Sequence, residues 1–457
     1  MPDSSAPTLA STRLTSQELR GMLAILMSIG LATLDTAIAN TALPAIAADL
    51  HASPAASVWI VNAYQLAAVA TILPFAALGG ILGHRKVFLG GLLLFVLSSA
   101  LCALSWSLPT LTAARVLQGL GASAIMSVNA ALIGSIFPPE RLGRGLGMNA
   151  LVVGTSFAAG PTIASLVLSV ANWPLLFAIN LPIGLFALVF AWKSLPASQP
   201  RALKFDYLTA LLNALALGAL ILALGQAAQL SSLFSVGLAF AVFLVAGALL
   251  IHRERGHPSP MFPLDLLKRP MFALSALTAF CSFATQGLAF VSLPFFFETT
   301  LGRNPVETGF LMTPWSVVVA MMAPIAGRLS DRYPPGLLGG VGLAVLSAGM
   351  VSLALLPANP SVAEILVRMV ICGMGFGFFQ APNQKALMTS APRERASGAS
   401  GTIATARLIG QATGAALVAL SFGIAGTHGP LLALSIGAVF AAVGAIASGL
   451  RLVTAKG

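Results

Sequence analysis

Apolar stretches of roughly 20 residues, the length that an α-helix needs to cross a bilayer, recur along this whole chain. Of its 457 residues, 57% are hydrophobic and only 8% are charged, whereas a soluble domain has about 25% charged residues. Membrane-spanning barrels show short alternating segments instead. The sequence therefore predicts an all-α integral membrane protein.

The apolar stretches predict fourteen spans, arranged as six, two and six. Each half has an Arg in its fourth span, Arg115 and Arg368, followed by closely spaced glycines, which indicates an internal repeat. Parallel repeats of this kind occur in transporters, with the binding site between the halves near the bilayer midplane. The predicted spans are 21–43, 56–78, 87–105, 110–133, 146–169, 173–192, 206–225, 231–251, 271–295, 306–326, 336–356, 362–381, 398–420 and 429–450.

This grouping predicts the division of the chain. Two six-helix bundles are joined by a linker that carries two extra transmembrane helices, and a tail lies at each end. The predicted parts are a tail (1–20), the first bundle (21–192), the linker (193–270), the second bundle (271–450) and a second tail (451–457).

The net charge of +11 arises from an asymmetric distribution of Lys and Arg, not from a nucleic-acid-binding patch. Loops on one side carry nearly all of these residues, and the opposite side has only Arg303. The positive-inside rule predicts that the loaded side, and with it both termini, is cytoplasmic. The residues on that side are Arg13, Arg20, Arg85, Lys86, Arg141, Arg144, Lys193, Arg201, Lys204, Arg253, Arg255, Lys268, Arg269, Arg328, Arg332, Lys385, Arg393, Arg395, Arg451 and Lys456.

Asp35 is the only carboxylate that lies midway along an apolar stretch. A charge at the centre of a membrane helix costs about 2.5–3.5 kcal/mol even on the lenient insertion scale, and such residues commonly bind and release protons. The alternative is a structural partner for an Arg on another helix, but a purely structural buried pair can often be replaced by apolar packing. We therefore predict that Asp35 carries the coupling proton.

Arg115, near the start of the fourth span, is the second candidate for proton coupling. Its side chain could extend to the membrane surface, or it could face the bundle interior and act on Asp35. Gln118 follows at the i+3 position and shares its helix face. This polar stripe favours the interior position.

Polar and aromatic residues within other spans are predicted to line a cavity for lipophilic compounds, including cationic ones. Each of them alone is more often explained by helix packing, and only the set indicates a cavity. The candidates are Asn62, Tyr64, Gln65, Gln118, Asn129, Gln286, Trp315, Phe376, Phe379 and Gln380.

Two loops and one helix are candidates for a conformational switch. Charged loop residues can bridge the two halves in one conformation and so bias the equilibrium; for the first loop, simple topological charge is the alternative. A Gly-Pro pair inside the fifth span would kink that helix. The residues are Gly83 and Arg85, Asp331 and Arg332, and Gly160 and Pro161.

Other classes of chemistry lack their signatures in the sequence. There is no phosphate-binding glycine loop with a following Lys, so ATP is not expected to drive the protein, and the five histidines have no metal-site spacing. We expect no enzyme activity, no metal and no cofactor, with a proton gradient as the energy source. The expected partners are a small-molecule substrate, protons and the lipid bilayer, with no nucleic acid, and the expected state is a monomer.

Five segments in order resemble the major facilitator superfamily and, within it, the fourteen-helix drug:proton antiporter branch, including an uncharacterised enterobacterial member. They are LDTAIANTALP (34–44), WIVNAYQLA (59–67), RVLQGLGA (115–122), GPTIAS (160–165) and NWPLLFAINLPIG (172–184). The resemblance implies a major-facilitator-like fold, alternating access, proton-coupled export and a bacterial inner-membrane location. It also implies that Asp35 is the protonation site and Arg115 its charged partner.

The chain departs from the family pattern at several positions. Gly80 stands where the family usually has an Asp in the first loop, which weakens the expectation of a charge bridge in the first half. Pro334 replaces a usual glycine in the second copy of that loop, and Ala164 and Ser165 replace two glycines in the fifth span.

We therefore expect a proton-coupled exporter of small lipophilic compounds. Two alternatives remain at this point. A proton-coupled importer of a small metabolite would use the same fold and the same Asp35. A membrane receptor or scaffold would be expected to have large soluble segments, which the sequence does not show.

Overall fold

The computed structural model describes residues 15–137, 142–197, 206–228, 232–254, 264–357, 359–391 and 396–454, and these form seventeen α-helices. The helices are α1 (Ser16–Asp49), α2 (Pro54–Ser57), α3 (Trp59–Leu82), α4 (His84–Ala103), α5 (Leu108–Ile136), α6 (Leu142–Val170), α7 (Pro174–Ala178), α8 (Asn180–Ser194), α9 (Tyr207–Ala228), α10 (Leu233–Glu254), α11 (Leu264–Leu267), α12 (Pro270–Phe295), α13 (Pro305–Leu329), α14 (Pro335–Ala354), α15 (Val362–Ser390), α16 (Ala396–Ala425) and α17 (Gly429–Thr454), with a π-helical turn at Phe296–Thr300 and a 3-10 turn at Gly426–His428.

Thirteen stretches of the described residues are helical, long and apolar enough to cross a membrane. The last of them, Thr402–Thr454, contains both α16 and α17, separated by the 3-10 turn. Each of the fourteen predicted spans therefore coincides with a helix or, for 173–192, with the pair α7 and α8. The prediction of an all-α membrane fold is confirmed.

Several helices extend beyond their predicted spans because internal prolines do not end them. Helix α1 continues past Pro44, and α15 continues past Pro382. Proline is tolerated in membrane helices because neighbouring groups satisfy the freed backbone atoms. Where helices begin, side chains cap them: Thr15 and Glu18 form a capping box at the start of α1, as Ser361 and Glu364 do at the start of α15.

The two halves pack together through a large shared apolar cluster at one end of the molecule. We call the end where α1 begins the terminal end and the opposite one the far end. At the far end, one apolar cluster joins buried residues of both halves, such as Ile46, Phe295 and Phe422. Toward the terminal end, the buried cluster around Ile25 contains only residues of the first half.

Helices α9 and α10, in the linker, differ in their surroundings. Helix α9 packs against α3 and α16: Asn213 Nδ2 donates to the Ala70 carbonyl at 3.1 Å, and Ile221 joins an apolar cluster with Ile72 and Leu408. Helix α10 packs on α9, where Arg253 and Asp206 form an ion pair at 3.1 Å. The domain boundaries proposed above stay a prediction.

Among the side chains that the structure describes, Arg451 is the one member of the predicted cytoplasmic charge set that is buried between helices. It lies inside α17, is 1% exposed, and donates to Asn383 Oδ1 at 2.7 Å, to Ser275 Oγ at 3.0 Å and to Ser448 Oγ. The sequence analysis counted it among the charges of the tail, whereas α17 continues to Thr454 and buries its side chain. Members of the set that lie outside the described residues are Arg13, Arg141, Arg201, Lys204, Arg255, Arg393, Arg395 and Lys456.

Candidate functional site

Asp35 is buried within the first half, 1% exposed, and is held by three side chains from other helices. Arg115 Nη1 lies 2.6 Å from Asp35 Oδ2. Gln118 Nε2 donates to Asp35 Oδ1 at 2.9 Å, and Asn180 Nδ2 donates to the same oxygen at 2.6 Å. The carboxylate is thus paired and hydrogen-bonded, the condition under which a charge persists in an apolar interior.

Arg115 is fully buried in α5 and faces the bundle interior, as the sequence suggested. Besides Asp35 it donates to the Ile60 carbonyl at 3.2 Å and to Gln118 Oε1. Its guanidinium carbon lies 4.2 Å from the centre of the Tyr64 ring, a cation–π contact. Tyr64 therefore separates the buried ion pair from the space between the halves.

A cavity lies between the two halves, and its empty space together with the adjoining open solvent amounts to about 720 Å³. Its lining lies on both sides of mid-helix. Val153 of α6 and Gln380 of α15 lie toward the terminal end, and Tyr64 of α3 and Phe290 of α12 lie toward the far end. The apolar cluster that both halves share lies at the far end, from which we infer that the cavity opens toward the terminal end. This is the geometry of one extreme of an alternating-access cycle.

Six of the ten predicted cavity residues line this cavity, and four do not. The lining ones are Tyr64, Gln65, Gln286, Trp315, Phe376 and Gln380. Gln118 instead binds Asp35. Asn129 lies outside the cavity, and its Nδ2 donates to Asn149 Oδ1 at 2.9 Å. Phe379 is buried beside Phe376. Asn62 is completely buried.

The sequence analysis missed two residues of this region. Asn180 was quoted within a motif but given no role, although it binds Asp35 directly. Arg407 of α16 lines the cavity and was not noted at all. Its signal was available, because an Arg inside the predicted span 398–420 is as unusual as Asp35 inside 21–43.

Sequence comparison identifies the family. A family model described as Major Facilitator Superfamily matches residues 25–415. This chain belongs to the major facilitator superfamily.

Individual relatives of this superfamily chain are transporters. It is 50% identical to the "Uncharacterized transporter YebQ" of Escherichia coli, over 95% of this chain and 96% of that protein. It is 30% identical to the "Riboflavin transporter RibZ" of Clostridioides difficile (88% and 87%) and 32% identical to the "Tetracenomycin C resistance and export protein" of Streptomyces glaucescens (92% and 77%). The chain is a transporter, not an enzyme.

Solved structures share the major facilitator fold at low identity. A POT family transporter in complex with a thioalcohol conjugated peptide matches with a TM-score of 0.72 at 14% identity, over 96% of each chain. At this identity the likeness concerns the fold alone, and it agrees with the two-half arrangement described above.

In the two loops that were predicted to form a conformational switch, the described hydrogen bonds and ion pairs of Arg85 and Asp331 lie within one half of the protein each. Arg85 donates to the Trp192 carbonyl in the first half, and Lys385 lies 2.6 Å from Asp331 in the second. Arg332 is exposed beside them, and Gly83 adopts a positive φ of 95° between α3 and α4. A bridge between the halves stays a prediction for another conformation.

Gly160 and Pro161 lie where α1, α6 and α13 meet. A Cβ on Gly160 would lie 2.3 Å from Ala37 Cβ and 3.1 Å from the Ala37 carbonyl carbon. A Cβ on Gly309 of α13 would lie 2.4 Å from the Pro161 carbonyl oxygen. Near this point Thr162 and Thr313 share a hydrogen bond of 2.7 Å between the halves. The two halves thus touch through backbone that has no room for side chains.

We expect Gly160→Ala to destabilise the protein, because α1 and α6 would have to separate to admit the methyl group. Overpacking of this kind costs about 1–3 kcal/mol. Gly90→Ala is the matched control, since a Cβ there meets nothing within 4 Å, and Ala in place of Gly within a helix gains roughly 0.5–1 kcal/mol. In detergent, the midpoint of thermal unfolding should be highest for Gly90→Ala, intermediate for the wild type and lowest for Gly160→Ala. Equal midpoints for the two variants would contradict the close packing of Gly160 against Ala37.

Proposed function

We propose that this facilitator is a proton-coupled secondary transporter that exports small lipophilic compounds by alternating access. The observation that carries the proposal is the carboxylate of Asp35, buried and ion-paired directly behind the cavity wall. A buried carboxylate destabilises a membrane protein, and where one occurs it usually serves to bind protons or cations. The proposed setting is a bacterial inner membrane with both termini cytoplasmic, and the proposed state is a monomer.

In the proposed cycle, the cavity facing the cytoplasm binds substrate while Asp35 is ionised and paired with Arg115. After the switch, a proton from outside neutralises Asp35 and frees Arg115 from its partner. Arg115 rests on the ring of Tyr64, which lines the cavity, so the change reaches the substrate through this ring. The protein then switches back to the state that faces the cytoplasm. This step costs less with a neutral carboxyl than with a charged one, and Asp35 then releases its proton to the cytoplasm.

The energy source in this proposal is the proton gradient, and no cofactor takes part. Each elementary charge that crosses the membrane gains about 2.3 kcal/mol per 100 mV. Export as the direction is supported by relatives, among them one whose name states resistance and export.

Proton-coupled import is the second candidate, and one observation favours it. Arg407 places a positive charge on the cavity wall. A proton on Asp35 removes a nearby negative charge, which would strengthen the binding of an anion instead of displacing it. An anionic substrate and the proton on Asp35 would then be transported in the same direction.

Proton movement in proteoliposomes tests the proposal and separates the two candidates. Purified protein is reconstituted with a pH-sensitive dye, and lipophilic cations, neutral compounds and anions are added in turn. Proton release from acid-loaded vesicles on addition of a compound indicates exchange, as proposed. Compound-dependent acidification of the interior indicates co-transport. Folded protein that gives neither signal with any compound would contradict proton coupling.

A further inference from the structure

We infer that the cavity binds compounds in which an aromatic body carries an anionic group, and that Arg407 binds that group. The inference deepens the proposed function and rests on it in one respect, that the cavity is the substrate site. It narrows the substrate class, replaces the lipophilic cations that the sequence suggested, and of the two candidate functions it favours proton-coupled import.

Arg407 is a cation without a counter-ion. It lies in α16 on the terminal side of mid-helix, is partly buried and lines the cavity. Among the residues that the structure describes, it has neither a hydrogen bond nor an ion pair, and the phenol of Tyr64 is a titratable group close enough to act on it electrostatically. An unpaired guanidinium in a low-dielectric cavity is costly, and a bound anion would supply both its missing charge and acceptors for its N–H groups.

The other charges near the cavity do not offset Arg407. None of the described lining residues is acidic. The one carboxylate within Coulombic range of Tyr64 is Asp35, and it is already bound by Arg115 at 2.6 Å and by two amides. Arg115, which neutralises this carboxylate, lies on the Tyr64 ring, so the net charge at the cavity is that of Arg407. The cavity wall therefore presents positive potential, which attracts anions and repels cations.

Two groups in the lining that can donate hydrogen bonds have no partner among the described residues. Trp315 lines the cavity and is 1% exposed, and its Nε1–H has no acceptor among the described residues. The Thr33 hydroxyl, also in the lining, is likewise buried and has no partner in the described part of the chain. Indole N–H is a donor only, so an acceptor oxygen on the substrate satisfies it.

An aromatic wall stands beside these groups. The rings of Phe157 and Phe290 are 4.9 Å apart between centroids, and Phe290 packs edge-on against Trp315 at 5.4 Å. All three line the cavity. Aromatic side chains bind planar apolar bodies by offset and edge contacts. The wall and Arg407 together match an amphipathic aromatic anion.

Binding to purified protein in detergent tests the inference without relying on transport. Three probes of one size are compared by equilibrium dialysis: 2-naphthoate, 2-naphthamide and 2-naphthylmethylammonium. Wild type should bind the anion most tightly. Arg407→Gln should weaken anion binding by at least ~10-fold, as expected for a lost hydrogen-bonded charge, and should leave the neutral probe unchanged. Arg407→Lys should keep the preference, and Arg407→Glu should reverse it.

The matched control is Arg20→Gln, which removes an exposed Arg at the start of α1 and should change no affinity. Equal or tighter binding of the cation, an unchanged anion affinity in Arg407→Gln, or no binding of the anion to folded wild type would each overturn the inference. If the anion preference and its loss are found but no proton signal accompanies any compound in vesicles, the substrate class stands and proton coupling fails.

Discussion

Replacing Asp35 by asparagine is expected to abolish substrate-driven proton movement, down to the level of protein-free vesicles. Asp35 is 1% exposed, its carboxylate accepts from three side chains, and none of the described cavity-lining residues is acidic. An amide cannot take up and release a proton at physiological pH, so the variant would lack the titrating group. The measurement is the pH-dye signal in proteoliposomes on addition of a transported compound.

The fold should survive this change, because the charge of Arg115 keeps other partners. The Ile60 carbonyl, Gln118 Oε1 and the Tyr64 ring all remain in contact with it. Asp206→Asn is the matched control: the same substitution at the ion pair between Asp206 and Arg253, away from the cavity, should leave coupling intact. A full proton signal from folded Asp35→Asn would show that another group carries the proton.

Hydropathy was sufficient to predict the membrane fold, and the physical reason lies in the bilayer. In hydrocarbon every backbone polar group must be satisfied within the segment, so an apolar stretch of sufficient length has little choice but to be a helix. This is why the spans 21–43 and 362–381 correspond to α1 and α15. The ends of these two helices were less well predicted. Proline usually ends a helix in a soluble protein, but α1 continues past Pro44 and α15 continues past Pro382.

The direction in which each side chain points was harder to predict. Core and lipid are equally apolar, so a membrane helix shows little contrast between its faces. Gln118 was placed correctly on the face of Arg115 because both belong to one helix at i+3. Asn129 and Phe379 were predicted to line the cavity but instead contact Asn149 and Phe376. The way in which the helices pack decides these contacts, and the sequence does not show it. The contact of Asp35 with Arg115 joins residues 80 positions apart, and it was predicted through the polar stripe of Arg115 and Gln118 and through the family resemblance.

Removing Arg115 is expected to destabilise the protein strongly, and removing Asp35 as well should restore part of the loss. Arg115→Met would leave the Asp35 carboxylate buried without its counter-charge, and breaking a buried pair in this way costs about 3–5 kcal/mol. In the double variant Asp35→Asn with Arg115→Met, no buried charge remains at this position. The loss should therefore be smaller than the sum of the two single losses by about 1 kcal/mol or more. The measurement is the free energy of unfolding in mixed micelles for all four members of this cycle.

Arg451 provides the matched control for this cycle. It is as deeply buried as Arg115, but its described acceptors are neutral, namely Asn383 Oδ1 and the hydroxyls of Ser275 and Ser448. Arg451→Met should also destabilise, because it leaves these polar groups unpaired. Its effect should add to that of Asp35→Asn without coupling, since the two residues share no partner and belong to different halves. Additive losses in both cycles would mean that Asp35 and Arg115 do not depend on each other's charge, whereas coupling confined to the first would establish the buried pair as one electrostatic unit.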